Sequence, residues 1–284
     1  MIHKIEHAVT VIDYIENHLN EKMNLSVIAD AVGYSKYHLH RMFVQTTGLS
    51  IHDYVQRRQL TEAAKLLVFS EKSILEISLI SGYESQQAFT NSFKQMYKKT
   101  PNEYRLNGEF YPLQLRFDLK ECPINLKQKD IQENIRFAEE YDIPAWLDLV
   151  TFIIDGFPNL KEDEYLRELR KNIRERRAFI LKDDAIAIAV MCLNYHTGSI
   201  DFFGIHPLYR HYGIAKHFLD KVMNELLCDK DIYVTTFREG DKADTGYRKA
   251  YKELGFAEAE LLVEFGYPTQ KFVLSTKRGP DDDE

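Results

Sequence analysis

Two stretches of the chain repeat one another: "GYSKYHLHRMF" from Gly33 and "GYESQQAFTNSF" from Gly82. Each starts with Gly-Tyr, continues with a serine placed to cap a helix, and then sets apolar residues four apart. These are Leu39 and Phe43 in the first, and Phe89 and Phe93 in the second. Ser35 and Ser85 lie 50 residues apart. A glycine that allows a sharp turn, followed by a capped amphipathic helix, describes a helix-turn-helix. Its recurrence means that one supersecondary unit is used twice, and two copies are too few for a solenoid. The front of the chain is therefore expected to be a small helical domain with two equivalent projecting helices.

The surrounding periodicity agrees. Val9, Ile12, Ile15 and Leu19 form one apolar stripe, and Tyr54, Leu60, Ala64 and Leu67 form another on a longer helix between the repeats. Residues 106–130 keep no period and read as a connector, with an extra strand predicted at 113–119. From Asn134 the pattern alternates. Strands are predicted near 134–138, 178–182, 185–193, 199–205, 231–237, 259–265 and 270–275, and helices near 143–155, 162–175, 211–227 and 244–254. The expected fold is multidomain: an all-α tandem helix-turn-helix domain, then a layered α/β (α+β) domain. The boundaries read as 1–107 for the helical domain, 108–132 for the connector, 133–278 for the second domain and 279–284 for a flexible tail.

Composition matters for what it excludes. At 284 residues, 44% hydrophobic and 29% charged, the chain has the apolar content for two packed cores. No apolar run approaches the roughly 20 residues that cross a bilayer, so no membrane partner is expected. The polar N-terminus is not a signal peptide. Cys122, Cys192 and Cys228 are odd in number and widely spaced. That fits reduced thiols and a cytoplasmic location better than a disulfide frame or a zinc site. His196 and His206 are lone histidines near strand ends, so no metal is expected. The formal charge of −7 is uneven: residues 1–105 carry 12 Lys+Arg against 11 Asp+Glu, and residues 106–284 carry 25 against 33. Phosphate is not repelled overall by the front of the chain.

A helix that reads a major groove needs outward side chains able to reach base edges. On the first repeat these are Tyr37, His40 and Arg41; on the second, Gln86, Gln87, Thr90 and Asn91. Arginine suits guanine, and Gln or Asn suits adenine. Lys36, Lys94, Lys98, Lys99, Arg57 and Arg58 are candidate phosphate anchors. Residue types alone also suit an ordinary solvated helical surface. The stretches "GYSKYHLHRMF", "RQLTEAAKLL" and "GYESQQAFTNSFKQMYKKTPNEYR" together resemble the DNA-binding domain of the AraC/XylS family of bacterial transcription regulators, near its MarA, SoxS and Rob group. The resemblance implies that double-stranded DNA is bound by two recognition helices in adjacent major grooves. The base-facing residues would be those just named, and one chain suffices, so a monomer or weak homodimer is expected. One departure is that Lys98-Lys99 precede Thr100-Pro101, where the family usually has Gly-x.

A second motif is "GIHPLYRHYGIAKHFLDKVM", a strand, a loop and a helix. Pro207 ends ladder pairing. The N–H groups of Tyr212, Gly213, Ile214 and Ala215 fall at a helix start and have no helical acceptor. Small residues at 213 and 215 let an anion approach them, and Arg210 and His211 add charge nearby. A plain tight turn is the competing reading, because the loop has neither the Walker nor the triple-glycine pattern. Downstream, "YRKAYKELGF" places Tyr251 one turn before Gly255.

In this order and spacing, the two stretches resemble the GNAT family of acetyl-CoA-dependent acyltransferases over about residues 133–275. The resemblance implies that loop 210–215 clasps the coenzyme A pyrophosphate and that the pantetheine arm pairs with the strand ending near Ile205. It implies further that Tyr251 protonates the departing thiolate. Asp244 stands at a cofactor-side position where the family often has asparagine. For the base that accepts the amine proton, Asp201 and Glu264 both remain candidates. The acidic balance favours a cationic amine, either a small molecule or a peptide. The expected activity is that of a DNA-binding regulator with a fused N-acetyltransferase. Two alternatives remain: a second domain that only senses acyl-CoA or a small ligand, and an enzyme whose front half docks on a protein.

Overall fold

The computed structural model describes residues 2–119, 131–153, 162–264 and 266–275. Cys122, the later part of the predicted connector and the tail 279–284 lie outside the described residues, as do the final residues of the helix predicted to 155. The chain divides into two compact units, Met1–Pro123 with Val150–Lys161, and Ile124–Leu149 with Glu162–Glu284. Among the described residues, no helix is long and apolar enough to cross a membrane.

The first unit is helical: α1 (Ile2–Asn17), α2 (Leu25–Val32), α3 (Lys36–Thr47), α4 (Ile51–Phe69), α5 (Ile74–Ile80), α6 (Gln86–Tyr97) and α7 (Pro101–Asn107). Both repeats form for the reasons their sequences give. Ser35 Oγ accepts the His38 N–H at 3.3 Å, and Ser85 Oγ accepts the Ala88 N–H at 3.2 Å. Gly82 turns the chain at φ +77°, and a Cβ there would lie 2.6 Å from the Glu21 carbonyl oxygen. Leu39, Phe43, Phe89 and Phe93 are all buried, so the four-residue spacing points inward and leaves the other faces of α3 and α6 outward. α4 has 19 residues, a rod of about 28 Å, and buries Leu60, Ala63, Ala64 and Leu67 against the α6 and α7 aromatics Phe89, Phe93, Tyr97 and Tyr104.

Residues 113–119 do not form the predicted strand. They strap α4 instead. The N–H groups of Leu113 and Gln114 donate to Thr61 Oγ1 at 3.0 and 3.2 Å, and Arg58 Nη1 donates to the Gln114 carbonyl at 3.1 Å. Phe117 stacks on Tyr54 with centroids 5.3 Å apart. Side chains of α4 thus satisfy backbone groups that a neighbouring strand would otherwise pair.

In the second unit, α8 (Ile131–Asn134), β1 (Arg136–Phe137), α9 (Ile143–Ile153, of which the residues to Leu149 belong to this unit) and α10 (Glu162–Arg174) come first. β2 (Ala178–Asp183), β3 (Ile186–Asn194), β4 (Ser199–Ile205), α11 (Ile214–Lys221), β5 (Ile232–Phe237), α12 (Tyr247–Glu253), β6 (Ala257–Glu264) and β7 (Tyr267–Leu274) complete it. The strands make one sheet in the order β1-β2-β3-β4-β5-β7-β6. Among the described residues, only the β4–β5 pair is parallel. β2 and β3 are buried along nearly their whole length, as strands covered on both faces must be.

Candidate functional site

In the helical unit, Lys36, Tyr37, His40 and Arg41 on α3 are exposed, Tyr37 to 77%. On α6, Gln86, Gln87, Asn91 and Lys94 are exposed and Thr90 is half-buried. Among the described residues, Lys36, Arg41 and Lys94 take no ion pair. The expectation for Arg57 and Arg58 is overturned, because both are buried, at 2% and 6% exposure. Arg58 gives Nε and Nη2 to the two Glu16 carboxylate oxygens, each at 2.8 Å, and Nη2 also to Glu62 at 3.0 Å. It holds the core and the strap together and is not available to phosphate. Lys98 occupies the left-handed cap position of α6 at φ +58°, the geometry for which glycine is favoured.

In the second unit, the site begins with how β4 leaves β5. The two strands pair at a single position, Ser199 with Tyr233. Beyond it, β5 pairs only with β7 and β4 only with β3. A bulge contributes to the parting: Cys192 faces Phe202 and Leu193 faces Ile200, so Asp201 is the extra residue. The His206 N–H donates to the Ile188 carbonyl at 2.8 Å on the β3 side. By strand alternation, the peptide groups of Phe203 and Ile205 face the open gap. This arrangement offers an extended ligand a strand edge to pair with.

At the end of β4, Pro207–Tyr212 form a 3-10 turn. The helix predicted from 211 begins at Ile214, because Gly213 at φ +71° interrupts the turn. The N–H groups of Gly213, Ile214 and Ala215 have no acceptor within the described residues, and a Cβ at Gly213 would meet nothing within 4 Å. Arg210 is half-buried and takes no ion pair there. Bare amides at a helix start beside an unpaired guanidinium suit a diphosphate. His206 secures the turn from beneath: its Nδ1 accepts the Leu208 N–H at 3.3 Å, while Tyr209 donates to Asp183 at 2.7 Å. Burial, with the Arg210 charge second, pulls the His206 pKa down to about 4, so the imidazole is a neutral acceptor at physiological pH.

Tyr251 on α12 packs against Phe256 and Phe272, with centroids 5.4 and 6.2 Å away. Its hydroxyl makes no hydrogen bond within the described residues, and burial pushes the phenol up to about 12. Arg248, one turn earlier on the same face, pins the helix to the sheet. It donates to the Phe237 carbonyl (2.9 Å), Gln270 Oε1 (2.6 Å) and Glu258 Oε1 (2.7 Å). Sequence reasoning missed Arg248, although its three-residue offset from Tyr251 was a usable signal.

Asp201 is 40% exposed at its side chain and engaged, accepting from Arg177 Nη2 at 3.0 Å and Ser199 Oγ at 2.5 Å. Glu264 lies opposite Tyr267 at the start of the β6–β7 hairpin. Among the described residues, no hydrogen bond or ion pair joins either carboxylate to Tyr251. Asp244 uses its Oδ1 to accept the N–H groups of Gly246 and Tyr247 at 2.9 and 2.8 Å, so it caps the entry to α12. His211 and Tyr212 lie in the 3-10 turn, His211 exposed. Within the described residues, no group of three or more His, Cys, Asp or Glu side chains is arranged for a metal.

Comparisons with known proteins bear on each unit separately. The helix-turn-helix domain family matches residues 28–107, and the acetyltransferase (GNAT) family matches residues 146–256. The multiple antibiotic resistance protein MarA of Salmonella typhimurium is 38% identical over 99 residues, which is 35% of this chain and 78% of MarA. The uncharacterized HTH-type transcriptional regulator YbfP of Bacillus subtilis is 39% identical over 94 residues, 33% of this chain and 32% of YbfP. The chain thus spans about a third of that longer relative. A GNAT-family acetyltransferase structure from Bacillus cereus aligns with 51% of this chain and 98% of its own, at 16% identity and a TM-score of 0.40.

Proposed function

Because the chain belongs to the AraC/XylS family through its N-terminal helix-turn-helix domain and carries a C-terminal GNAT acetyltransferase domain, we propose that it is a DNA-binding transcription regulator whose second domain transfers an acetyl group from acetyl-CoA to an amine. The observation that carries the enzymatic half is the single-pair junction of β4 and β5, opening beside the bare amides of Gly213–Ala215.

The residues present fit coenzyme A. The 213–215 amides and Arg210 would hold its diphosphate, and the peptide groups of Phe203 and Ile205 would pair with its amide-bearing arm. Bound acetyl-CoA supplies an acetyl carbon activated as a thioester. An amine nitrogen would take that acetyl group in exchange for the carbon–sulfur bond, and the thiol would need a proton to leave. Tyr251, protonated across physiological pH, is the donor of that proton. Whichever of the Phe203 and Ile205 N–H groups is not paired with that arm would stabilise negative charge on the carbonyl oxygen. Asp201 or Glu264, directly or through water, takes the proton lost by the amine.

Support for the DNA-binding half comes from two capped helices whose outward residues are solvent-facing and whose lysines and arginine are not spent on ion pairs. Lys36 and Lys94 anchor phosphate, and Tyr37, His40, Arg41, Gln86, Gln87, Thr90 and Asn91 face the bases of two adjacent major grooves.

The engagement of Asp201 by Arg177 favours the second reading, in which the domain senses acyl-CoA without turnover. Tyr251→Phe separates the two. Calorimetry with acetyl-CoA and a turnover assay with a panel of amines should show unchanged coenzyme affinity and a rate at least about 100-fold lower. Wild-type protein that binds acetyl-CoA but acetylates no amine would establish the sensor.

A further inference from the structure

We propose that the acceptor amine binds on the α10 side of β3 and β4, with the Asn172 carboxamide as the group that recognises it; this rests on the acetyltransferase reading above. Asn172 lies near the end of α10 and is only 6% exposed. Its Nδ2 reaches Cys192 Sγ at 3.8 Å, a weak contact, while Oδ1 is buried without a partner. Because Nδ2 faces the sulfur, the unused end is the carbonyl oxygen, an acceptor. A buried polar group left unsatisfied costs stability, so its presence points to a partner supplied from outside.

The surroundings set the chemistry of that partner. Trp146 Nε1 donates to the Tyr165 hydroxyl at 2.8 Å, and the Tyr165 O–H has no acceptor among the described residues. The Tyr165 ring stands edge-on to Phe202, with centroids 6.5 Å apart. Phe202 is the ladder partner of Cys192 and sits next to the Asp201 bulge, the level at which β4 separates from β5. The orphan amide is therefore beside the closed end of the gap. Charges of both signs reach this spot, the Asp201 and Glu168 carboxylates opposed by Arg177. The Cys192 thiol is pushed up to about 12 by burial first, then by the Asp201 charge and slightly by Glu168, against the opposing pull of Arg177 and the hydrogen bond from Asn172. Arg177 and Lys171 are already committed to carboxylates. An unused carbonyl beside the level at which β4 leaves β5 takes a hydrogen-bond donor, and the N–H of a primary or secondary amine supplies one.

The test uses the full chain with coenzyme A bound. Spermidine and an Nα-blocked lysine amide are titrated calorimetrically against wild type, Asn172→Leu and Asn172→Asp. Unfolding of each is followed by the fluorescence of Trp146. The expected result is that Asn172→Leu is at least as stable as wild type and keeps its coenzyme affinity, but binds the better amine at least about tenfold more weakly. Asn172→Asp, which keeps an acceptor, retains amine binding. Three outcomes overturn the inference: no amine binding by wild type, unchanged amine binding in Asn172→Leu, or loss of binding in both variants. Amine binding without turnover by wild type would leave this inference standing and refute the transfer reading instead.

Discussion

His206 should make the second unit lose stability in a defined acidic window. Its imidazole is 4% exposed, faces the Tyr209 ring edge-on at 5.5 Å, and accepts the Leu208 N–H through Nδ1. Burial and Arg210 pull its pKa from 6.5 to about 4. In the unfolded chain the ring takes a proton near pH 6.5; in the folded chain it does so only near 4. The unfolded state therefore binds more protons between those values. The stabilisation from a neutral His206 is fully present above pH 6.5 and is lost as the pH falls toward 4. The full displacement corresponds to about 3 kcal/mol, of which roughly 2.5 kcal/mol is gone by pH 4.5. Protonation also removes the acceptor for Leu208, so the turn that presents Gly213–Ala215 should loosen and coenzyme affinity should fall in the same window. The assay is urea unfolding at pH 7 and pH 4.5, read by the fluorescence of Trp146, the only tryptophan and one buried in this unit. His206→Asn retains an acceptor but cannot titrate. Carboxylates contribute equally to both proteins, so wild type should lose about 2.5 kcal/mol more than the variant between the two pH values. An identical pH dependence in the two would refute the reasoning.

Other outcomes follow from the same structure. Lys98→Gly should stabilise the helical unit by about 1 kcal/mol, because φ +58° then carries no Cβ penalty; a far-UV circular dichroism melt measures it. Gly198→Ala should destabilise the second unit by at least about 2 kcal/mol, since the new Cβ would lie 2.3 Å from the Asp231 carbonyl oxygen at φ +78°. The Trp146 transition should move to lower denaturant. In DNA binding, Lys94→Ala should weaken all sequences alike and lower the salt slope by about 1, whereas Gln87→Ala should cost about 1–3 kcal/mol at its own base pair and relax preference there. Fluorescence anisotropy across a salt series distinguishes them.

The sequence alone carried the two capped helices, because Ser35, Ser85, the turn glycines and the four-residue apolar spacing act within one or two turns of chain. It also carried the strand–loop–helix around Gly213, again a local matter of which amides have no helical acceptor. What it could not carry depended on partners distant in sequence. Arg57 and Arg58 read as surface cations until folding set Glu16, 42 residues before Arg58, against its guanidinium. Residues 113–119 read as a strand until Thr61 and Arg58 took their backbone groups. Asp201 read only as a candidate base. Only the register between β3 and β4 made it a bulge, and only Arg177, 24 residues earlier, gave its charge a partner. Capping and turn chemistry are short-range and legible in order along the chain. Ion pairing, register and the parting of β4 from β5 are set by which segments pack together, and so were decided by the tertiary structure.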